Sequence, residues 1–195
     1  MNRRDDIIQT ARQLFTRQGY HATSIRQIAA GVGCRESAIY VHFENGKREL
    51  LQTILTHHMP DFDEILRGCA PESASENAFD RLGQRMAALA QTHLQEWQWV
   101  VGEFPTLKAD ERAIVRAKLV ELHQGLADCL QAHRVSEAAA RSIAWSLVVM
   151  LSGYAQLHRV GEPDFDIGFS PDHFANMLKV LLAETLRPEE QANVQ

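Results

Sequence analysis

Cysteines, membrane-length apolar runs, strand-like alternation and the signatures of catalysis are scarce or missing in this chain, and each shortage closes off a class of protein. Three cysteines stand in 195 residues. Cys34, Cys69 and Cys129 are odd in number, far apart and in no metal-ligand spacing, so a reducing, cytoplasmic setting is expected and a disulfide framework is not. No apolar run reads as long enough to span a membrane. Arg3-Arg4-Asp5-Asp6 passes straight into an amphipathic pattern, so no signal peptide is expected either. There is no Gly-x-Ser-x-Gly elbow, no glycine-rich phosphate loop and no His-Glu-x-x-His, so an enzyme, a catalytic residue and a cofactor are not expected. Nine histidines invite a metal, yet the adjacent His57 and His58 would point about 100° apart on a helix. Only a site gathered from the distant His93, His123 and His158 stays open, and no metal is expected. No stretch alternates apolar and polar residues as a strand does, which leaves an all-α fold.

What is present is a charge asymmetry. The net charge is −5, which looks wrong for a nucleic-acid binder until the chain is divided. Residues 1–59 hold eight Lys and Arg against five Asp and Glu, a net +3, and residues 60–195 hold twelve against twenty, a net −8. Positive charge confined to one end draws that end to phosphates, while the acidic remainder limits indiscriminate binding.

The basic end reads as four helices. Ile7, Ile8, Ala11, Leu14 and Phe15 form one helical stripe that Gly19 stops. Ser24-Ile25-Arg26-Gln27 has the form of a capping box and opens a short second helix with Ile25, Ile28, Ala29 and Val32 on one side. Gly33 permits a tight turn, and a third short helix follows from Arg35 to Val41, with Ile39 inward and Phe43 packed beneath. Asn45-Gly46 breaks the chain before a fourth helix, Lys47 to His58, ended by Pro60. Beyond it a loop-like stretch covers 61–75. Helical patterns then run from about Glu76 to Gln98, in a short piece to Pro105, from about Asp110 to His133, from Ser136 to Val160, and from a Ser170-Pro171 start to the end. The expected division is a DNA-binding domain at 1–59 and a helical domain at 60–195.

Three short helices with a glycine turn between the second and third make a helix-turn-helix, whose third helix lies in a DNA major groove about 12 Å wide. Such a helix needs small or polar residues outward and apolar anchors inward. Arg35, Glu36, Ser37 and Val41 can face out while Ile39 and Phe43 hold it down. The run Gly19-Tyr20, Thr23-Ser24-Ile25-Arg26-Gln27-Ile28-Ala29, Gly33, Ser37-Ala38-Ile39-Tyr40, His42-Phe43, Lys47 and Leu50-Leu51 resembles the N-terminal signature of the TetR family, the tetracycline-repressor-like regulators. The resemblance implies phosphate contacts from Thr23, Tyr40, His42 and Lys47, a base-facing surface of Arg35, Glu36, Ser37 and Val41, and Ser24, Arg26 and Gln27 alongside. The chain departs from the family pattern at Cys34, where Val is usual, and at Gly46, an extra residue before Lys47. It departs again at Arg35, where a capping Ser or Thr is usual. The last change removes a cap and leaves a guanidinium for a guanine edge or a phosphate.

The resemblance further implies a homodimer on a palindromic operator in double-stranded DNA, repression, and release by a small-molecule effector. The 136–160 helix is apolar around more than half its circumference and the final helix is similarly broad, so both need cover on more than one side. In the resembling family this pair meets its copy as a four-helix bundle, which implies an interface of Ala144, Leu147, Leu151, Gly153, Phe174, Leu178 and Leu181. Met86, His93, Trp97, Phe104, His123, Met150 and Tyr154 are the candidate pocket, large side chains with a few polar tips that suit a mostly apolar or aromatic effector. A C-terminal domain that dimerises without any ligand, or a helical scaffold or carrier, are the competing readings.

Overall fold

The computed structural model of the protein describes residues 2–57, 66, 78–157, 172–173, 176–177 and 180–181. Among them lie eight helices and no strand: α1 (Arg3–Gln18), α2 (Ile25–Val32), α3 (Glu36–His42), α4 (Lys47–His57), α5 (Ala78–Thr92), α6 (Leu94–Glu103), α7 (Ala109–Ala132) and α8 (Glu137–Leu157). The all-α expectation holds.

The chain divides into two compact units, residues 1–61 with 93–120, and residues 62–92 with 121–195. The expected cut near residue 59 follows chain order; the packing adds 93–120 to the first unit. The reason is visible in the core. Ile7, Ile8, Ala11 and Phe15 of α1, Ile28 and Ala29 of α2, Ile39, Phe43, and Leu50, Leu51, Ile54 and Leu55 of α4 are buried together with Trp99, Val100, Leu107 and Val115. Trp99 stacks on Phe15 with ring centroids 5.8 Å apart, and Tyr20 meets Phe15 edge-on at 5.2 Å. Four short helices have little apolar area to enclose, and each large side chain brought in from 93–120 adds about 1.5–3 kcal/mol of burial.

Local chemistry sets the helix ends. Asn2 caps α1 by accepting from the Arg4 N–H, and Asp5 and Asp6 sit in its first turn with Arg17 in its last, complementing the helix dipole. Both halves of the Ser24/Gln27 capping box form, and α2 ends at Gly33 in the left-handed region, φ 71°.

In the second unit α5 packs on α8. Buried in this unit are Leu82, Met86 and Ala87 of α5, Leu122, Leu126, Ala127 and Leu130 of α7, and Ala140, Ile143, Ala144, Leu147, Val148, Leu151, Tyr154 and Ala155 of α8. The α7–α8 turn places Arg134 in the left-handed region at φ 68°.

Three expectations need correction. The helical pattern read from Glu76 to Gln98 breaks at His93. No glycine or proline marks the break; it falls where the chain passes from the second unit to the first, so that Trp99 and Val100 can enter a different core. Cys129 is disulfide-bonded, contrary to the expectation of no disulfide, while Cys34 is free and Cys69 lies outside the described residues. Sequence spacing says nothing about which cysteines a fold brings together. Finally, Glu137–Leu157 is long and apolar enough to cross a membrane by length and composition alone. Eight of its residues form the core just described, which is what a buried helix of a globular unit requires.

Candidate nucleic-acid interface

The surface expected to read DNA is built on α2 and α3. Ile39 and Phe43 are fully buried and anchor α3, whose opposite side presents Arg35, Glu36, Ser37, Tyr40 and Val41 to solvent. Tyr40 is 49% and Val41 78% exposed. A valine so exposed between polar neighbours has little use in a free protein, and its methyl groups suit the methyl of thymine in a major groove. His42 is half-buried on the same helix. Arg35 is the N-cap residue of α3 and makes no side-chain cap bond, so its guanidinium stays outside the helix, as the sequence implied.

The turn before α4 fixes the far end of α3. Gly46 is buried at φ 59°, and a Cβ there would lie 3.0 Å from Tyr40 Cε1. This residue, extra relative to the family spacing, both adopts a backbone that disfavours side chains and lets the Tyr40 ring lie against the chain.

Alongside, Arg26 and Gln27 of α2 are exposed. Ser24 Oγ accepts from the Gln27 N–H at 3.2 Å, and Gln27 Oε1 accepts from the Ser24 N–H at 2.8 Å. These two residues therefore first serve the start of α2, leaving the Gln27 amide nitrogen for an outside partner.

Two expected phosphate contacts are placed elsewhere. Thr23 is 2% exposed; its hydroxyl donates to Gly19 O at 2.8 Å and accepts from Gln18 Nε2 at 3.2 Å. Lys47 is half-buried, and its Nζ donates to Tyr20 O at 2.8 Å and Thr23 O at 2.7 Å while lying 4.3 Å from the centre of the Tyr20 ring. Both side chains are turned toward the α1–α2 turn because its carbonyls have no helical partner there. Burial lowers the Lys47 pKa from the ordinary lysine value, with Glu103 opposing the shift, and burial followed by the charge of Glu111 raises that of Tyr20.

Residues far along the chain complete this unit. Glu103, at the end of α6, accepts the Tyr20 N–H on Oε1 at 2.9 Å, and the Thr106 hydroxyl lies 3.0 Å from its Oε2. Arg48 donates to both Asp110 carboxylate oxygens at 3.0 and 2.8 Å and to Glu111 Oε1 at 3.1 Å. Gln52 Nε2 adds a bond to Asp110 at 2.9 Å, and buried Glu111 also accepts the Lys108 N–H at 2.8 Å. Arg48 and Lys47 thus have internal acidic neighbours and contribute less to an outward field than the +3 of residues 1–59 suggests. The sequence marks Arg48 only as a charge on α4; its partners lie some sixty positions away.

The candidate pocket residues divide between the units. His93, Trp97 and Phe104 belong to the first, where Phe104 packs against the core. Met86, His123, Met150 and Tyr154 belong to the second, with Met86, His123 and Tyr154 buried. His123 Nε2 lies 3.1 Å from Arg141 O and its ring stacks on Trp145 at 4.3 Å. Among the described residues no group of three His, Cys, Asp or Glu side chains is arranged to hold a metal.

Of the expected interface residues, Gly153 is exposed, while three others point inward. Ala144, Leu147 and Leu151 are buried within their own unit and have no face to offer a partner. The outward side of α8 carries Ser142, Trp145, Ser146, Val149 and Gly153, with Trp145 45% and Val149 65% exposed. The buried residues recur at i, i+3, i+4 and i+7 from Ala140 to Ala155, a single stripe that faces the core of its own unit, where α5 packs on α8. Leu181 is half-buried, and Phe174 and Leu178 lie outside the described residues.

The family model described as "Bacterial regulatory proteins, tetR family" matches residues 7–54. An uncharacterized HTH-type transcriptional regulator of Bacillus subtilis is 35% identical over 71 residues, 36% of this chain and 37% of that protein. An HTH-type transcriptional repressor of Mycobacterium tuberculosis is 36% identical over 81 residues, 42% of this chain and 43% of that protein. The chain thus matches about two fifths of the length of these curated relatives. A crystal structure of a TetR-family transcriptional regulator from Bordetella parapertussis is 28% identical with a TM-score of 0.63, covering 92% of this chain and 93% of that one. A TetR transcriptional regulator from Legionella pneumophila shares the fold at 17% identity, TM-score 0.72, covering 96% and 98%.

Proposed function

We propose that the chain is a member of the tetR family of bacterial regulatory proteins, whose model matches residues 7–54, and that it is a cytoplasmic, non-enzymatic transcriptional regulator that binds a palindromic operator as a homodimer and is released from it by a small effector. The observation that carries the reading is α3: a short helix pinned by Ile39 and Phe43 that turns Arg35, Glu36, Ser37, Tyr40 and Val41 outward. Arg26, Arg35, Tyr40 and His42 are the groups that grip phosphates or bases, and Ser37 and Val41 read base edges. Two such helices related by a two-fold axis meet successive major grooves about 34–36 Å apart.

A second copy is the occupant that best suits the outer side of α8. Trp145, Val149 and Leu157 are exposed there, as are Met177 and Val180 farther on; a two-fold axis lets one such patch cover its own copy. Buried Met86, His123 and Tyr154 in the second unit suit a mostly apolar effector with one or two polar groups. Binding there weakens the operator complex by a coupling typically worth about 1–3 kcal/mol, or roughly 5- to 150-fold, and the operator weakens effector binding by the same factor.

The test is capture of genomic fragments and of a random-duplex pool by the purified protein, followed by sequencing. Enrichment of one roughly palindromic motif is expected. Recovery that simply mirrors the input would overturn the regulator reading. A ligand found by thermal-shift screening must then lower affinity for the enriched duplex; one that binds free and DNA-bound protein equally is not the effector.

A further inference from the structure

Lys47 stands where the family resemblance assigns a phosphate contact, but its ammonium is committed elsewhere. It donates to the carbonyls of Tyr20 and Thr23, 2.8 and 2.7 Å away, and covers the Tyr20 ring at 4.3 Å. We propose that Lys47 and Glu103 are positioning residues that clamp the turn between α1 and α2 from two helices, and that they set where α2 and α3 stand against DNA without themselves holding a phosphate. This rests on the DNA-binding reading above.

The Tyr20 residue is gripped at both ends of its backbone. Its N–H donates to Glu103 Oε1 at 2.9 Å and its C=O accepts from Lys47. Glu103 comes from the end of α6 and Lys47 is the first residue of α4, so the turn is tied to two elements other than the helices it joins. The Thr23 hydroxyl, bonded to Gly19 O at 2.8 Å, closes the same turn from within. The residue after Thr23 is Ser24, the N-cap of α2; a shift of the Thr23 peptide therefore moves the start of α2, and with it the exposed Arg26 and Gln27.

Electrostatics argues the same way. An ammonium at the first position of a helix opposes the positive end of the helix dipole. Two carbonyl oxygens and a nearby carboxylate compensate for that placement, and a phosphate drawn to the same ammonium would compete with them. Lys47 continues directly from Gly46, whose Cα faces the Tyr40 ring. The clamp therefore lies next to both reading elements.

The proposal gives Glu103 an effect opposite in sign to simple charge. Removing a carboxylate from a DNA-binding unit should strengthen binding if only its charge matters, whereas removing a clamp should weaken it. The experiment compares Lys47→Met, Glu103→Ala and Glu103→Gln with the wild type in the full-length protein, after thermal melts show each folded at the assay temperature. The probes are the duplex enriched by the wild type and a mixed-sequence duplex, each titrated over a range of salt. Lys47→Met and Glu103→Ala are expected to weaken the enriched duplex about tenfold, the loss of one charge-assisted hydrogen-bond set. Mixed-sequence binding should stay within about twofold, with an unchanged salt slope. Glu103→Gln, which keeps an oxygen for the Tyr20 N–H, restores most of the loss; a side chain needed only for folding would alter the melt and leave the ratio of the two affinities alone.

Three results overturn the clamp. The first is a Lys47→Met protein weakened alike on both duplexes with the slope reduced by about one, the mark of a lost phosphate contact. The second is a Glu103→Ala protein that binds more tightly, and the third is an unchanged affinity ratio in both variants. If Lys47→Met does not fold, the Glu103→Ala and Glu103→Gln pair decides alone. A wild type that enriches no duplex sinks the DNA-binding reading and the clamp together, while enrichment followed by any of the three results sinks the clamp only.

Discussion

Trp99 offers a direct measure of how far the first unit depends on residues outside the first sixty. It lies on α6, is buried, and stacks on Phe15 at 5.8 Å. Truncation to alanine removes an indole of about 150–250 Å² of surface and leaves a cavity beside Phe15, a change that costs about 3–5 kcal/mol, of which the ring pairing itself accounts for about 0.5–1.5 kcal/mol. Trp99→Phe should behave differently. The Trp99 Nε1 is buried and without a hydrogen-bond partner among the described residues; a buried, unsatisfied N–H carries a penalty of about 1–3 kcal/mol that phenylalanine removes. That relief offsets most of the lost volume, so the variant is expected within about 1 kcal/mol of the wild type. The assay is hydrogen exchange of the α1 and α4 core amides in the full-length protein, which reports the opening of this unit by itself where a single melt would mix two. Alanine should lower the opening free energy of amides near Phe15 and Leu51 by several kcal/mol, with little change near Leu126 and Leu147. An alanine variant within about 1 kcal/mol of the wild type at those amides would mean that residues 93–120 are not part of this core, and the assignment of Trp99, Val100, Leu107 and Val115 to it would fall.

Other substitutions follow from the same packing. Gly46→Ala forces a side chain into a left-handed backbone and against Tyr40 at 3.0 Å, so a loss of about 1–2 kcal/mol is expected by urea unfolding, with weaker operator binding as Tyr40 shifts. Val149→Glu, on an exposed position, should leave a folded protein that sediments as a monomer, whereas Ala144→Glu puts a carboxylate into a buried position and should fail to fold. The pKa of Asp110 is lowered in the folded protein: burial opposes the shift, but backbone hydrogen bonds and Arg48 prevail. Its stabilising contribution is therefore complete above the ordinary value of 3.8 and lost as pH falls through the lower folded value. Acid unfolding followed by circular dichroism should show a smaller dependence on pH below about 4 in Asp110→Asn, and an unchanged acid limb would discount the Arg48–Asp110 pair.

The sequence by itself determined the helices of the first sixty residues and the outward side of α3. Ser24 and Gln27, three positions apart, write a capping box that forms, and Gly33 writes the turn after it. Ile39 and Phe43 inward with Arg35, Glu36, Ser37 and Val41 outward follow from helical spacing alone. These are local matters, decided within a few residues by hydrogen bonding and periodicity. Only the tertiary structure decided how side chains with two plausible destinations are used. The family resemblance implies phosphate contacts from Lys47 and Thr23; that they face the Tyr20–Thr23 turn depends on a fold that brings α4 and α6 beside it. Ala144, Leu147 and Leu151 sit on a helix apolar over more than half its circumference, so an inward stripe and a partner-facing one were both open until the fold buried these three within their own unit. The break at His93 has the same origin, since no local stop signal marks it. The free energy that favours it is the burial of Trp99 and Val100 against residues about eighty positions earlier, a long-range term that sequence spacing does not contain.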